Sequence, residues 1–469
     1  MAYRRILKTT AHMGLSSGIS AVAGLARSKF AAVLHGSACV GMLGLLNQHY
    51  TMLQQVFGLG LSTSALRYVS ENRAHGGAQP EAEALSFASK LGLLALVACL
   101  PVSFGICYLS FGSMENLGFF VLVGLAAPPA ILTLAQVAVL QARGEISRLA
   151  QSQSITAILS LVVSLILISF WGEKGVALSI FLSALIGLTV FCVSVPLVFP
   201  RSGEWFALTS SDRRLLVFGV TVFGVIALGN ASAMVIRSTV VDELGLKQAG
   251  IYFAAMAVAV NLPGFLFGPM FADYTPRVAA APDDAAAAVV TKDQLTAGLL
   301  LGGHCFVAIH LWAGSLLGLF FSSEFLPATP LVEWLAWGVA FRLVSIPLGC
   351  WLLARCRPSE VMAIEGSGTI VGTVLAIMML PNWGLEGICA AFCITSGAYT
   401  LFVSWYVGRR SSNGLLPRAL LLLLVIAVVL ALTKLVSAQA PGHLGKAMFY
   451  GVIAGASAWG YRRAIRRTS

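Results

Sequence analysis

Apolar segments of about 20 residues, the length needed to cross a hydrocarbon core of about 30 Å as a helix, recur along the whole sequence. Short stretches between them hold most of the charged residues. Hydrophobic residues make up 58% of the chain and charged residues 10%, against about 25% charged residues in a typical soluble domain. Too little polar surface remains to cover a water-soluble globule, so the sequence predicts an all-α integral membrane protein.

The apolar segments predict about 14 transmembrane helices. The predicted spans are 13–34, 40–66, 90–111, 117–140, 149–170, 175–199, 215–239, 248–272, 294–320, 330–353, 360–380, 386–407, 417–436 and 446–461. Cytoplasmic loops of membrane proteins are enriched in Lys and Arg. Here 22 of the 30 basic residues fall in alternate loops, and only four fall in the others: Lys174, Lys247, Lys434 and Lys446. This asymmetry supports an even number of spans and predicts that the N- and C-termini are cytoplasmic.

The short loops argue against an enzyme. The longest predicted loops, 71–89 and 273–293, leave no room for an extramembrane catalytic domain. The nine cysteines form no C-x-x-C pair and the histidines form no metal-binding cluster, so neither a cofactor nor a metal is predicted. The net charge of +11 follows membrane sidedness, and no nucleic-acid partner is predicted.

An internal repeat divides the chain. Trp171-Gly172-x-x-Gly175 recurs as Trp383-Gly384-x-x-Gly387 at an offset of 212, and Arg27-Ser28 recurs as Arg237-Ser238 at an offset of 210. Six spans per copy give both copies the same orientation, which is a parallel repeat related by a pseudo-two-fold axis along the membrane normal. We therefore predict a six-helix bundle over 1–205, a second over 206–412, and an additional helix pair with a basic tail over 413–469.

Four basic residues lie inside predicted spans, where a charge costs roughly 2.5–3.5 kcal/mol at the helix centre and usually faces a water-filled cavity. Arg27 and Lys29 lie in the first span, Arg237 at the corresponding place in the seventh, and Arg342 near the middle of the tenth. We predict that these cations bind substrate in a central cavity. Snorkelling towards the headgroups is the alternative for Arg27 and Lys29, and ion pairing is the alternative for Arg342. Both alternatives apply to Arg237.

Other polar residues within the spans are candidates for lining that cavity or for coupling to an ion. Asn47, Tyr50 and Gln54 are spaced three and four residues apart, so they share one helix face and could line a hydrophilic cavity. Hydrogen bonding between helices is an equal alternative. Glu333 and Glu365 are the acidic candidates for coupling to a proton or sodium gradient, although solvated or Arg-paired carboxylates would explain them too.

The N-terminal stretch resembles a known family. It runs Leu25-Ala-Arg27-Ser-Lys29 to Gly36, then Val40-Gly41-Met42, and later Gly58-Leu-Gly60-Leu-Ser-Thr-Ser64-Ala-Leu-Arg67. These motifs are similar to those of the O-antigen and polysaccharide translocases (Wzx-type flippases) of the multidrug/oligosaccharidyl-lipid/polysaccharide (MOP) exporter superfamily. The additional pair of spans departs from the commoner twelve-span plan and resembles the lipid II flippase branch.

This resemblance implies a function and a location. The expected substrate is an undecaprenyl-diphosphate-linked oligosaccharide, flipped across the bacterial inner membrane by alternating access between two bundles. A diphosphate is anionic and suits a cavity lined by arginines, which agrees with the intramembrane cations. The implied partners are the lipid-linked oligosaccharide, membrane lipids, and polysaccharide polymerase or assembly proteins.

Other transporter and enzyme classes fit less well. A MATE-like, ion-coupled multidrug antiporter of the same superfamily is the main alternative, but it would need acidic residues in the cavity. A major-facilitator transporter would carry a G-x-x-x-D-x-x-G-R-R/K pattern in its second loop, which here begins Ser70-Glu-Asn-Arg73. A polysaccharide polymerase or ligase would need a large periplasmic loop.

Overall fold

The computed structural model describes residues 2–76, 78–264, 274, 277–278, 281–411, 415–439 and 445–455. Within these ranges the chain contains helices and no strand, and nine helices are long and apolar enough to cross a membrane. The all-α membrane fold class is therefore confirmed. The exact number of crossings stays a prediction, and parts of the predicted spans 248–272 and 446–461 lie outside the described residues.

The helices are numbered here in chain order. They are α1 (Ala2–Gly58), α2 (Leu61–Gly76), α3 (Gln79–Phe111), α4 (Leu117–Gly124), α5 (Ala127–Arg143), α6 (Ile146–Cys192), α7 (Ser210–Met256), α8 (Asp284–Leu311), α9 (Ala313–Phe320), α10 (Thr329–Arg355), α11 (Pro358–Ser411), α12 (Leu415–Gln439) and α13 (445–455). A π-helical turn, Ala257–Asn261, follows α7, and a 3₁₀ turn, Ser323–Ala328, precedes α10.

Four helices are far longer than one membrane crossing requires. Helices α1, α6, α7 and α11 contain 57, 47, 47 and 54 residues. At 1.5 Å per residue they would extend for about 70–85 Å if straight, more than twice the thickness of a hydrocarbon core. Each is interrupted by one glycine with a positive φ: Gly36, Gly172, Gly245 and Gly384. Each interruption separates two arms, which is how nine long helices accommodate a larger number of predicted spans.

The W-G-x-x-G motif in α6 forms a tight chain reversal. Residues eight positions apart in a continuous helix are separated by about 12 Å. A Cβ on Gly175 would nonetheless overlap the backbone carbonyl of Leu167, eight residues earlier. The chain reverses at Gly172, whose φ of 51° is accessible to glycine and rarely adopted by other residues. Because Gly175 has no side chain, the carbonyl of Leu167 fits against it where the two arms meet.

The bends repeat along the chain as the sequence motifs do. Gly384 has a φ of 57°, and a Cβ on Gly387 would lie 2.5 Å from the carbonyl oxygen of Met379. This is the α6 reversal at the offset of 212 residues. The other two bends, Gly36 and Gly245, have φ values of 75° and 80° and lie 209 residues apart. The repeated bends support a duplicated helix plan.

The chain forms two compact units, Met1–Gly250 and Ile251–Ser469. The first unit extends through most of α7 because the first arm of α7 packs on α1 and α3. Gly219 contacts the backbone at Leu59, and Ser238 Oγ accepts a hydrogen bond from Ser110 Oγ at 2.9 Å. The boundary at 205/206 was drawn from the sequence repeat and stays a prediction about that repeat.

Each unit has its own apolar core. In the first unit, alanines on α2, α3 and α5 let the helices approach closely around larger side chains such as Phe87 and Ile131. In the second, Trp351 of α10 is fully buried. The hydroxyl of Tyr274 contacts Thr291 Oγ1 at 2.9 Å and donates to the carbonyl of Pro347 at 3.0 Å. These cores hold the helices that carry the candidate site residues.

Candidate substrate-binding residues

Helices α1 and α7 pack backbone to backbone where their second arms begin. A Cβ on Gly41 would overlap the carbonyl of Leu246, and a Cβ on Gly250 would overlap the carbonyl of Ser37. Only glycine allows this approach, because any side chain would push the two helices apart. Gly41 and Gly250 are also aligned in the repeat, so the two copies touch at equivalent positions.

Arg237 lies on this line of contact. Its Nη1 donates a hydrogen bond to the carbonyl of Gly44 at 2.7 Å. One turn further along α1, Gln48 Nε2 donates to the carbonyl of Asn230 at 3.3 Å. Gly44 and Gln48 are four residues apart and therefore share the face of α1 that meets α7. The structure thus places the arginine of the second repeat copy directly against α1.

Arg27 lies on the first arm of α1, nine residues before the bend at Gly36, and Arg237 lies eight residues before the bend at Gly245. Both arginines are therefore about 12–14 Å along the helix from a bend. The Nε of Arg27 is buried, and no described residue accepts a hydrogen bond from it. Lys29, about 200° away around the helix, is exposed. Among the four predicted cations, Arg27 is thus the one with a buried N–H donor that no described residue accepts from.

The predicted polar face of α1 is present, with one difference in detail. Asn47, Tyr50 and Gln54 are all half-buried. Asn47 Nδ2 donates to the carbonyl of Leu43 on its own helix at 2.8 Å. Tyr50 and Gln54 form no side-chain hydrogen bond to any described residue. The residue that bonds between helices is Gln48, and cavity lining by Asn47, Tyr50 and Gln54 stays a prediction.

A second polar cluster lies in the other unit, on α10 and α11. The guanidinium carbon of Arg342 lies 5.3 Å from the ring centroid of Phe392. Glu365 accepts a hydrogen bond from the hydroxyl of Tyr399 and lies within electrostatic range of Arg342. A Cβ on Gly349 would be 3.2 Å from Glu365 Oε1, so a glycine makes room for the carboxylate. Arg342, a predicted substrate cation, is therefore grouped with Glu365, a predicted coupling residue.

Glu333, the other acidic candidate, has a different environment. It is half-buried on α10 and lies within electrostatic range of Lys434 and Lys446, on α12 and α13. Lys446 Nζ also donates to the carbonyl of Leu311 on α8 at 3.1 Å. Through these lysines, α12 and α13 interact with α10 and α8 of the second unit. No group of three or more metal-binding side chains occurs in the part of the chain that is described, and the roles of Glu333 and Glu365 stay predictions.

Two basic residues have structural surroundings that the sequence does not reveal. In the sequence, Arg213 and Arg214 stand out only as basic residues of a predicted cytoplasmic loop. In the structure both are exposed and line a concave surface at the start of α7. An available signal was the aromatic segment Trp205-Phe206 just before them, since aromatic residues with arginines are typical of a membrane interface.

Several solved structures share this fold. A lipid II flippase, MurJ, in an inward closed conformation has a TM-score of 0.70 at 14% identity, with 97% of this chain and 99% of that chain covered. An inward-facing multidrug resistance MATE family transporter of the MOP superfamily has a TM-score of 0.66 at 15% identity, with 84% and 94% covered. A MOP superfamily transporter from Pyrococcus furiosus has a TM-score of 0.59 at 16% identity, with 87% and 96% covered. No protein-family model and no curated protein matches the sequence.

The chain has the fold of the MOP superfamily transporters. At these identities the likeness establishes the fold and leaves the substrate open. Coverage separates the neighbours, because the flippase match includes 97% of this chain and the multidrug transporter match 84%. That difference is close to the length of segment 413–469, which lies outside the predicted repeat.

Proposed function

We propose that this protein is a flippase that moves an undecaprenyl-diphosphate-linked oligosaccharide, an O-antigen or related polysaccharide repeat unit, across the bacterial inner membrane. The observation that carries the proposal is the buried Nε of Arg27, which has no hydrogen-bond acceptor among the described residues. A buried donor left without a partner costs about 1–3 kcal/mol, and more when it is charged. A diphosphate in the cavity would supply the missing acceptor.

The chemistry of the substrate fits the arginines. A guanidinium offers donors in a planar fork that matches phosphate oxygens, and such charge-assisted bonds are roughly twice as strong as neutral ones. Arg27 and Arg237 occupy matching positions before the bends of α1 and α7, so they can engage one headgroup from two helices. The polyprenyl tail would remain in the bilayer while Tyr50 and Gln54 offer hydrogen bonds to sugar hydroxyls.

The absence of acidic residues from α1 argues against a cationic substrate. The 57 residues of α1 include no Asp or Glu. A multidrug antiporter that carries organic cations would need carboxylates where this helix carries arginine and lysine. The nearly complete coverage by a lipid II flippase supports the same choice.

Transport against a gradient requires coupling, and we assign this role to the cluster in the second unit. Glu365 accepts from Tyr399 and lies near Arg342: as a carboxylate it balances the charge of Arg342, and once protonated it leaves Arg342 only its contact with the Phe392 ring, so protonation would alter the interactions that hold this cluster. Alternating access would then be driven by a proton gradient acting on one unit while substrate engages the arginines of the other. Polysaccharide polymerase or assembly proteins would receive the product in the outer leaflet.

Reconstituted liposomes provide the test. A fluorescent undecaprenyl-diphosphate-linked oligosaccharide is incorporated, and its movement between leaflets is followed by a quencher that cannot cross the membrane. Because a charge-assisted hydrogen bond contributes about 1.5–3 kcal/mol, we expect Arg27→Ala to slow flipping at least about tenfold, and Arg237→Ala to do the same. Arg148→Ala serves as a matched control, since Arg148 is exposed and pairs with Glu145 at 2.8 Å. If both cavity variants flip at the wild-type rate, the diphosphate does not bind at these arginines.

A further inference from the structure

The segment that leads into α7 presents apolar side chains to the exterior. Phe206 is 93% exposed and Leu208 is 62% exposed, and both lie between the end of α6 and the start of α7. Arg213 and Arg214 follow as the fourth and fifth residues of α7 and are also exposed. This segment precedes the predicted span 215–239, and it lies on the basic side of the membrane predicted to be cytoplasmic.

A network of hydrogen bonds fixes the backbone of this segment. Thr209 and Asp212 form a reciprocal cap, because Thr209 N donates to Asp212 Oδ2 at 2.9 Å and Asp212 N donates to Thr209 Oγ1 at 3.2 Å. Lys90 of α3 donates to the same carboxylate at 2.6 Å and to the carbonyl of Ala207 at 2.9 Å. The exposed apolar side chains are therefore carried on a pinned backbone, and the cap already satisfies amides of the helix N-terminus.

A concave surface lies beside this network and encloses a volume of about 580 Å³. It is lined by two arginines, two hydroxyl residues and two apolar residues: Leu208, Thr209, Ser210, Arg213, Arg214 and Val217. Neither guanidinium forms an ion pair with any residue that the structure describes. Asp212, the carboxylate next to them in the sequence, already bonds Lys90. The surface thus has two arginines without an ion-pair partner among the described residues, next to an apolar edge.

We propose that this concave surface, called here the entry site, binds the diphosphate headgroup of the lipid substrate at the inner leaflet before translocation. Arg213 and Arg214 bind the two phosphates, the hydroxyls of Thr209 and Ser210 donate to the remaining oxygens, and Leu208 with Val217 contacts the first isoprenyl units. This inference rests on the proposed function and adds the place where the substrate is captured.

The position of the entry site on α7 gives it a role in the path of the substrate. Arg214 and Arg237 are separated by about 35 Å along a helix, close to the thickness of the hydrocarbon core. The first arm of α7 therefore carries an arginine near each end of one crossing. Arg214 lies in the entry site at the basic end, and Arg237 contacts Gly44 near the bend. Substrate captured at the first is already adjacent to the helix that carries the second.

Binding of a short isoprenyl diphosphate, measured without transport, tests the entry site. Farnesyl diphosphate is titrated into the detergent-solubilised full-length protein carrying Arg27→Ala and Arg237→Ala, so that the cavity arginines do not contribute. Adding Arg213→Ala with Arg214→Ala is expected to weaken binding about 100-fold, since two charge-assisted contacts are lost. Arg201→Ala is the matched control, because Arg201 is an exposed arginine of the same segment that does not line the concave surface.

Three results would overturn the entry site: unchanged binding in the Arg213/Arg214 double variant, equally tight binding of inorganic pyrophosphate, or displacement by short-chain phosphatidylglycerol at equal concentration. The second would remove the lipid from the proposal, and the third would make the surface a general contact for anionic lipids. Replacement by Arg213→Lys and Arg214→Lys should restore part of the affinity, which separates loss of charge from loss of structure. Failure of the proposed function appears elsewhere, as wild-type flipping by Arg27→Ala.

Discussion

Arg27 and Arg342 both carry a guanidinium within apolar helices, yet their surroundings differ. Arg342 in the second unit lies over the ring of Phe392 and within electrostatic range of Glu365. Arg27 in the first unit has a buried Nε with no acceptor in the described structure. Among the described residues, Arg342 therefore has a nearby counter-charge and Arg27 does not. Under the proposed function, Arg27 would bind the anion and the cluster of Arg342 and Glu365 would serve coupling.

Replacing Arg27 breaks this comparison most strongly. Arg27→Leu should slow flipping at least about tenfold while raising the stability of the folded protein by about 1–3 kcal/mol, because a buried donor without a partner is removed. Flipping in liposomes and thermal unfolding in detergent measure the two effects on one preparation. Loss of both activity and stability would mean that Arg27 has a structural partner.

Neutralising Glu365 tests the other side of the comparison. Glu365→Gln keeps an acceptor for the Tyr399 hydroxyl but can no longer release a proton. We expect flipping to fall several-fold and to become insensitive to an imposed proton gradient, while binding of the lipid substrate is retained. Glu386→Gln, at an exposed carboxylate on the same helix α11, is the matched control. A variant that still responds fully to the gradient would remove Glu365 from coupling.

Replacing Arg342 should have the smallest effect on transport and the opposite effect on stability. Arg342→Leu removes a cation–π contact that contributes about 0.5–2 kcal/mol and leaves Glu365 without its nearby cation. The unfolding temperature should fall, and flipping should fall less than in Arg27→Leu. Equal losses of flipping in the two variants would show that both arginines bind substrate, as the sequence predicted.

Much of the architecture follows from the sequence because membrane helices have a simple signature. Apolar length and the distribution of Lys and Arg predicted the all-α membrane fold. The W-G-x-x-G repeat marked equivalent positions, but only the structure shows that Gly172 reverses the chain and that Gly175 is where the arms touch. The repeat indicates that Gly172 and Gly384 have equivalent surroundings, but it does not reveal that these surroundings are a reversal of the chain.

The candidate site is less accessible from the sequence, because a charge within a span is visible while its orientation is not. Arg27 and Arg237 stood out as matching positions, but the contact of Arg237 with Gly44 depends on how α1 and α7 cross at Gly41. Gln48 rather than Asn47 reaches α7, a difference of one position that helix periodicity cannot resolve. Only the structure shows that Arg213 and Arg214 line one concave surface.

Deletion of the protein in its host tests the central claim most directly. Lipid-linked oligosaccharides are extracted, and the leaflet that holds them is determined with a membrane-impermeant reagent. The account predicts that undecaprenyl-diphosphate-linked repeat units accumulate facing the cytoplasm and that surface polysaccharide is lost. Unchanged lipid-linked oligosaccharides, together with new sensitivity to cationic drugs, would contradict it and favour an antiporter.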